Sequence, residues 1–403
     1  MKVLITTDCY IPTVNGVVTS IVNLESELRK LGHDVRILCP SQNFRCSEKG
    51  NVYRIGSISV DKLYSGARAA LLIQRRHLQK IIDWKPDIIH SQTEFMSFIM
   101  AKRISAAVGC PIVHTYHTVY EDYTHYFSPS PSVGKKIVTD FTRGLLKGVR
   151  TVIVPSRKIE DLLKSYGISK KIRIVPTGLN IDKFMEEVSA ERIEQMKAEL
   201  NIPPENKVLV SVGRAAKEKN IDELLKYFRK LNMKNTTLLI VGGGPYLRQL
   251  KKNAKSLKLS DKVVFTGMVE PSKIAAYYKL GDVFMNASQS ETQGLTYIEA
   301  LASGLPMICR KDECLDEVLY NGKNGFQYTN FEQFSKYVKA LINDEALRKA
   351  MAEKSSEIAQ KFSNKVFAES MEKIYAETLS SRLRVRIADA IAESSAKFRS
   401  IKT

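Results

Sequence analysis

Long hydrophobic runs are missing from this 403-residue chain: no stretch approaches the roughly 20 apolar residues that cross a bilayer. The chain is therefore read as soluble, or at most as lying on a membrane. Cysteine is scarce. Cys9, Cys39, Cys46, Cys110, Cys309 and Cys314 form no C-x-x-C pair, and most sit in or beside apolar segments, where a thiol acts as a small apolar residue. That usage sets an oxidising compartment aside and points to a reducing cytosol. The opening residues 1–13 hold too short an apolar run for a signal peptide, include Asp8, and read as a first buried strand.

Acidic side chains are in deficit as well. Asp and Glu number 43 against 62 Lys and Arg, a formal net charge of +19. Such a balance favours an anionic partner: nucleic acid, an acidic membrane or a phosphorylated small molecule. Its distribution is uneven, since residues 1–176 hold 26 basic against 14 acidic residues, a net of +12, and the remainder only +7.

What the chain does have is apolar material, 44% of its composition, enough for two domains or slightly more. In the first half, strand-like runs (Val3–Thr6, Val35–Cys39, Ile88–His90, Ile112–Thr115, Thr151–Val154, Arg173–Val175) alternate with amphipathic ones. The latter are Val17–Leu31, Gly66–Asp83, Ser97–Val108, Ser132–Gly144 and Arg157–Tyr166. After a polar stretch near 186–206 the rhythm restarts at Lys207–Val212. Alternation of this kind predicts two doubly wound parallel α/β domains of Rossmann-like type, with ligands at the carboxyl ends of the strands in a cleft between them. The boundaries expected are 1–180, a linker 181–206, 207–360, and C-terminal helices 361–403 that cross back to the first domain.

One segment concentrates chemistry. In Glu291-Thr-Gln-Gly294-Leu295-Thr296-Tyr-Ile-Glu299 two carboxylates flank a glycine turn that opens a helix. The N–H groups of Gly294, Leu295 and Thr296 would point out of the helix start, an end that attracts phosphate. Glu299 could accept from a ribose diol, and Glu291 could face whatever hangs from the phosphate. Together these describe a nucleotide-sugar site, although glutamates near a helix start are favoured by the dipole alone. Further strand ends add to it. Gly213-Arg214…Lys219 supplies a planar fork and a point charge suited to a diphosphate. Gly242-Gly-Gly244-Pro245 bares backbone to a ligand, and Gly267-Met268-Val269 offers backbone to a nucleobase edge. A solvated basic loop and a tight turn would leave the same traces.

In this order and spacing, with Gly16 in the first turn, His117-Thr118 and Gly178 at the crossover, the pieces resemble the retaining glycosyltransferases of family 4. The resemblance spans nearly the whole chain and implies the GT-B fold. It implies that Arg214 and Lys219 hold the diphosphate and stabilise the leaving group, and that Glu299 binds ribose. Glu291 and the 294–296 amides would contact the donor sugar and phosphate, with Gly213, Gly244, Met268 and Val269 also at the donor. Gly16 would let the first loop approach the phosphate or acceptor. It also implies no obligatory metal, and the chain shows no convincing D-x-D motif. His117 follows a strand; metal ligation with His114, His125, Glu121 and Asp122 fits no standard spacing, and the resemblance selects His117 for the donor sugar or acceptor.

Acceptor expectations rest on the basic first half. Arg68, Arg75, Arg76 and Lys80, with Trp84 after them, lie in an expected amphipathic helix suited to an anionic lipid surface; a helix over the tail (Leu379, Leu383, Ile387, Ile391, Phe398, Ile401 among basic residues) is a second candidate. A solvated face packed on its own domain has the same pattern. The segment 290–304 and the opening Tyr10-Ile-Pro-Thr-Val-Asn-Gly are most similar to bacterial diacylglycerol α-glucosyltransferases, although Gln293 stands where many members carry an aromatic or small residue. The implied activity is transfer of a hexose, glucose from UDP-glucose, to the 3-hydroxyl of 1,2-diacylglycerol. It would be carried out in the cytoplasm, on the inner face of the cell membrane and without nucleic acid. The rivals are a transferase to another lipid or a polysaccharide, a UDP-sugar epimerase, and a non-catalytic protein of anionic surfaces.

Overall fold

A computed structural model describes residues 1–13, 15–59, 68–70, 75–121 and 130–381, and of residues 59, 68–70, 75 and 131 the backbone alone. The described residues form two compact units: those of 1–178 with 364–381, and 179–363. No described helix is long and apolar enough to cross a membrane.

Among the described residues, the first unit contains β1 (Lys2–Thr6), β2 (Asp34–Pro40), β3 (Ser47–Lys49), β4 (Val52–Ile55), β5 (Ser57–Ser59), β6 (Arg68–Ala70), β7 (Ile88–Ser91), β8 (Ile112–Thr115), β9 (Thr151–Val154) and β10 (Lys171–Ile174). Eight of them pair in the order β10-β9-β8-β7-β1-β2-β4-β3, parallel throughout except for β3, and β5 and β6 form a separate antiparallel pair. Val3, Leu4 and Ile5 are wholly buried, as are Val152, Ile153 and Val154, because helices cover both faces of a parallel sheet. The helical segment 364–381 belongs to this unit: Phe367, Met371 and Tyr375, one turn apart, join Val3, Ile5 and Val35 in one core. A Cβ on Gly178 would lie 2.6 Å from that of Phe367, so only glycine allows the helix this close.

The second unit contains β11 (Lys207–Val212), β12 (Thr236–Val241), β13 (Val263–Gly267), β14 (Val283–Asn286), β15 (Met307–Arg310) and β16 (Gly325–Tyr328). They form a fully parallel sheet in the order β13-β12-β11-β14-β15-β16. Residues 181–206, read above as a linker, contribute helices Asp182–Met185 and Ala190–Glu199, and Phe184, Met196 and Ile202 enter this unit's core. Polar composition hid these anchors, since only a few side chains in the stretch, Ile181 among them, turn fully inward.

The doubly wound parallel architecture expected from the alternation is present in both units. One expected element differs. The amphipathic run Gly66–Asp83 forms a helix only from Arg75 to Trp84, while Arg68–Ala70 pairs antiparallel with Ser57–Ser59. Residues 60–67 and 71–74 lie outside the described residues, as do 122–129 (with Asp122 and His125) and the tail 382–403 with its candidate helix.

Candidate functional site

In the second sheet the strand order reverses between β11 and β14, the position where open α/β sheets receive ligands. Two loops leave the carboxyl ends of these neighbours and are knitted together. Asn220 Nδ2 donates to the Ala287 carbonyl (3.4 Å), and Ser290 Oγ to that of Glu218 (3.3 Å). At their meeting point Lys219 Nζ pairs with Glu291 Oε1 at 2.6 Å, the lysine about a quarter exposed and the glutamate less. Two residues far apart in sequence, one basic and one acidic, thus share one spot.

Backbone closeness around this spot depends on glycine. Gly242, at the end of β12, has φ +130°, and a Cβ there would sit 2.0 Å from the Gly213 carbonyl oxygen. The N–H of Gly213 donates to Val241 O (2.9 Å), and that of Gly242 to Gly267 O (3.1 Å), so the ends of β11, β12 and β13 are locked in one surface. A Cβ on Gly244 would likewise lie 2.4 Å from the Ala215 carbonyl oxygen. Arg214 is exposed on this surface, with no ion pair among the described residues. Met268 is 82% exposed at the end of β13, and Val269 beside it is half-buried.

Gly294, at φ +74°, opens the helix Leu295–Ala302 with no side-chain cap. A Cβ at Gly294 would press 2.4 Å from the Tyr297 ring and 3.4 Å from Glu291 Cγ, which places the Glu291 stem against the helix start. The first-turn N–H groups, those of Leu295 and Thr296 included, have no intrahelical acceptor and form a partial positive charge there. Glu299 lies one turn in, where Tyr278 donates its hydroxyl to Oε2 at 2.6 Å. Burial pushes the Glu299 carboxyl above its usual range, with the Tyr278 bond and Lys183 opposing. Gln293 is buried beneath the turn. The arrangement offers a lysine ammonium, a helix start without a side-chain cap and a hydrogen-bonded carboxylate within one loop cluster.

The first unit has its own switch point, between β1 and β7. Here Asp8 accepts from the N–H groups of Phe95 (3.1 Å) and Ser97 (2.9 Å), capping the helix Met96–Val108; burial raises its carboxyl despite these bonds. His117 follows β8, and its Nε2 donates to Gln92 Oε1 at 2.7 Å. Burial lowers the His117 imidazole to about 4, with His114 adding and Glu94 opposing, so the ring is neutral at pH 7 and Nδ1 is an acceptor. Behind it His90 sits between the Tyr375 hydroxyl and Thr115 Oγ1, both at 2.7 Å. Glu94 accepts from the Tyr120 hydroxyl (2.6 Å) and lies 3.5 Å from His114 Nε2. Gly16 begins the exposed start of helix Gly16–Lys30, capped by Asn15. Among the described residues, no group of three potential metal ligands converges.

Sequence reasoning missed Asp8, Gln92, Glu94 and Tyr278. A usable signal existed for the first three, which are polar residues directly following buried parallel strands. Tyr278 gave none, being an aromatic inside a helix.

The surface helix needs correction. Trp84 is 8% exposed, donates Nε1–H to Asp34 (2.8 Å) and stacks under the Arg36 guanidinium at 4.4 Å, so it packs inward and is not available to a membrane. Arg68 is on β6, not in that helix. Arg76 is exposed; Lys80 is exposed and paired with Glu48 at 2.7 Å; the Arg68 and Arg75 side chains lie outside the described residues.

Comparison with known proteins follows the same division. Residues 14–183 match the model described as Glycosyltransferase Family 4, and residues 192–358 that of Glycosyl transferases group 1. The chain is similar to an alpha-monoglucosyldiacylglycerol synthase of Streptococcus pneumoniae, 36% identical over 89% of this chain and 83% of the relative. A second protein of that name, from Acholeplasma laidlawii, is 33% identical over 93% and 96%. Among solved structures, Anabaena HepE in complex with UDP and glucose superposes with a TM-score of 0.72 at 18% identity, covering 94% of this chain and all of that one; this likeness concerns the fold.

Proposed function

The chain belongs to glycosyltransferase family 4 and has the GT-B fold, and on that premise we propose that it moves glucose from UDP-glucose to the 3-hydroxyl of 1,2-diacylglycerol, retaining the anomeric configuration. The observation that carries the reading is the Lys219–Glu291 pair at the switch point beside the uncapped helix start. A diphosphate supplies what both lack: anionic oxygens for the Lys219 ammonium and the Arg214 fork, and acceptors for the Leu295 and Thr296 amides.

The chemistry follows from where charge grows. As the bond between anomeric carbon and phosphate oxygen breaks, negative charge accumulates on the departing UDP, and a fixed cation with helix-end amides stabilises that state more than the ground state. The acceptor oxygen bonds to the same face of the carbon, and its proton passes to the leaving phosphate oxygen. Glu291, released from Lys219, takes hydroxyls of the sugar. Glu299, already polarised by Tyr278, takes the ribose diol. His117, neutral and oriented by Gln92, accepts from a hydroxyl of sugar or acceptor through Nδ1. The uridine ring lies toward Met268 and Val269. The enzyme works at the inner face of an anionic membrane.

Labelled UDP-glucose with dioleoylglycerol in mixed micelles tests the reading. A labelled α-glucosyldiacylglycerol, identified by its anomeric coupling, is expected. Conversion to another UDP-sugar without acceptor, or a β-linked product, overturns it.

A further inference from the structure

We propose that Phe95, Ile99, Val133, Ile137 and Phe141 form an apolar strip that seats the first unit on a bilayer carrying anionic lipid; the inference rests on the lipid-acceptor reading above. These side chains are 42–54% exposed, a high value for residues of this size. They are not scattered. Phe95 and Ile99 lie one turn apart at the start of helix Met96–Val108, and Val133, Ile137 and Phe141 form a row along helix Pro131–Leu146. The two rows meet where the Phe95 and Phe141 rings stack at 6.4 Å, with Tyr120 edge-on to both at 6.2 and 6.3 Å.

Helix Pro131–Leu146 does not need this row to fold. Val138, Thr142, Leu145 and Leu146 already bury its inner side, so the exposed row is a second apolar stripe without a core to pack on. A continuous exposed patch of this kind marks an interaction surface, whereas single exposed apolar residues do not. Its borders are basic: Lys102 and Arg103 on one helix, Lys135, Lys136 and Lys147 on or after the other, all exposed. Lys135 lies 3.4 Å from Glu121, while Arg103, Lys136 and Lys147 have no ion pair among the described residues.

Charge selects the occupant. A second copy meeting this face about a two-fold axis would bring the same basic borders together. The tail 382–403 carries six basic against two acidic residues and is repelled in the same way. An anionic bilayer satisfies both parts at once, its phosphates meeting the lysines and its acyl boundary taking the apolar row. The surface lies on different helices from the basic helix Arg75–Trp84, whose tryptophan is turned inward.

The test uses the full chain in co-sedimentation with phosphatidylcholine vesicles, with and without phosphatidylglycerol. Val133→Glu with Ile137→Glu is expected to lower partition onto the anionic vesicles about tenfold or more. Val133→Ser with Ile137→Ser should give an intermediate loss with an unchanged melting temperature, and turnover on a monomeric short-chain diacylglycerol should stay at the wild-type rate for both. Arg103→Glu with Lys136→Glu should weaken binding to the anionic vesicles only. Wild-type partition by the Val133/Ile137 variants overturns the proposal. So does a wild-type dimer that these variants dissociate, or loss of partition on Phe398→Glu alone. Failure to form any glucosylated product would strike the lipid-acceptor reading instead, and vesicle partition would then decide the docking surface separately.

Discussion

In the first unit, the helix after the switch-point strand β7 has its amide end occupied by the protein itself: Asp8 accepts from Phe95 and Ser97. In the second unit the helix in the corresponding place, after β14, starts at Gly294, a residue with no side chain of its own to cap it. Around the first end stand buried imidazoles held by uncharged partners, His117 on Gln92 and His90 between Tyr375 and Thr115, with Glu94 beside them on the Tyr120 hydroxyl. Around the second stands a charged pair, Lys219 with Glu291, in which each partner can be exchanged for a ligand group. The same wound sheet thus yields a fixed hydrogen-bonding wall in one unit and an open anion seat in the other. What differs is that a carboxylate from the segment after β1 reaches the first helix end, whereas the second opens on a glycine.

Substitutions can break this contrast. The largest effect is expected from Lys219→Ala, which removes the cation aimed at developing phosphate charge: turnover should drop about 100- to 1000-fold in steady-state assays, with acceptor KM nearly unchanged. A normal rate would remove Lys219 from the chemistry. Glu299→Ala should weaken UDP roughly 10- to 100-fold by calorimetry, the scale of a hydrogen bond to a charged group; unaltered affinity would separate the ribose from this carboxylate. In the first unit, Asp8→Ala should cost about 1–2 kcal/mol of stability in denaturant titration, as lost helix caps do, and leave UDP affinity alone. Weakened UDP binding in a stable Asp8→Ala protein would erase the distinction between the two helix ends.

The smallest effect concerns acidity. His117 takes a proton near pH 6.5 when unfolded but only at about 4 when folded, so between these values the unfolded chain holds more protons. Stability should therefore fall as pH drops from about 6.5 toward 4, and be flat in this respect above 6.5. Denaturant titrations at pH 5 and 7 should show a smaller gap for His117→Gln than for the wild type, with buried His90 retaining part of it. An equal gap would mean that the ring is not held neutral by burial.

The strands were legible because a strand buried on both faces must be a short apolar run, and Val3–Ile5 or Thr151–Val154 can be little else. Gly294 and its helix were legible for a similarly local reason: a left-handed residue before an apolar helix leaves a mark within ten positions. Trp84 was misread because a basic helix with a tryptophan looks alike whether it faces lipid or sheet. Asp34 and Arg36, some fifty positions earlier, turn it inward. The apolar strip went unseen because Val133, Ile137 and Phe141 look like any helix core until Val138, Leu145 and Leu146 prove to be the buried side.

By itself, then, the sequence determined the elements, their alternation into two wound sheets, and the residue types at the strand ends, since these follow from backbone geometry and burial over a few neighbouring positions. Only the tertiary structure decided which of those residues meet. Lys219 reaches Glu291 across 72 positions, Asp8 reaches Ser97 across 89, and His90 finds Tyr375 across 285. Such pairings arise from strand order and from a helix returning to the first sheet. Side-chain charge and hydrogen-bonding capacity act over a few ångströms, so a partner's identity is set by the packing that brings it near and not by its place along the chain.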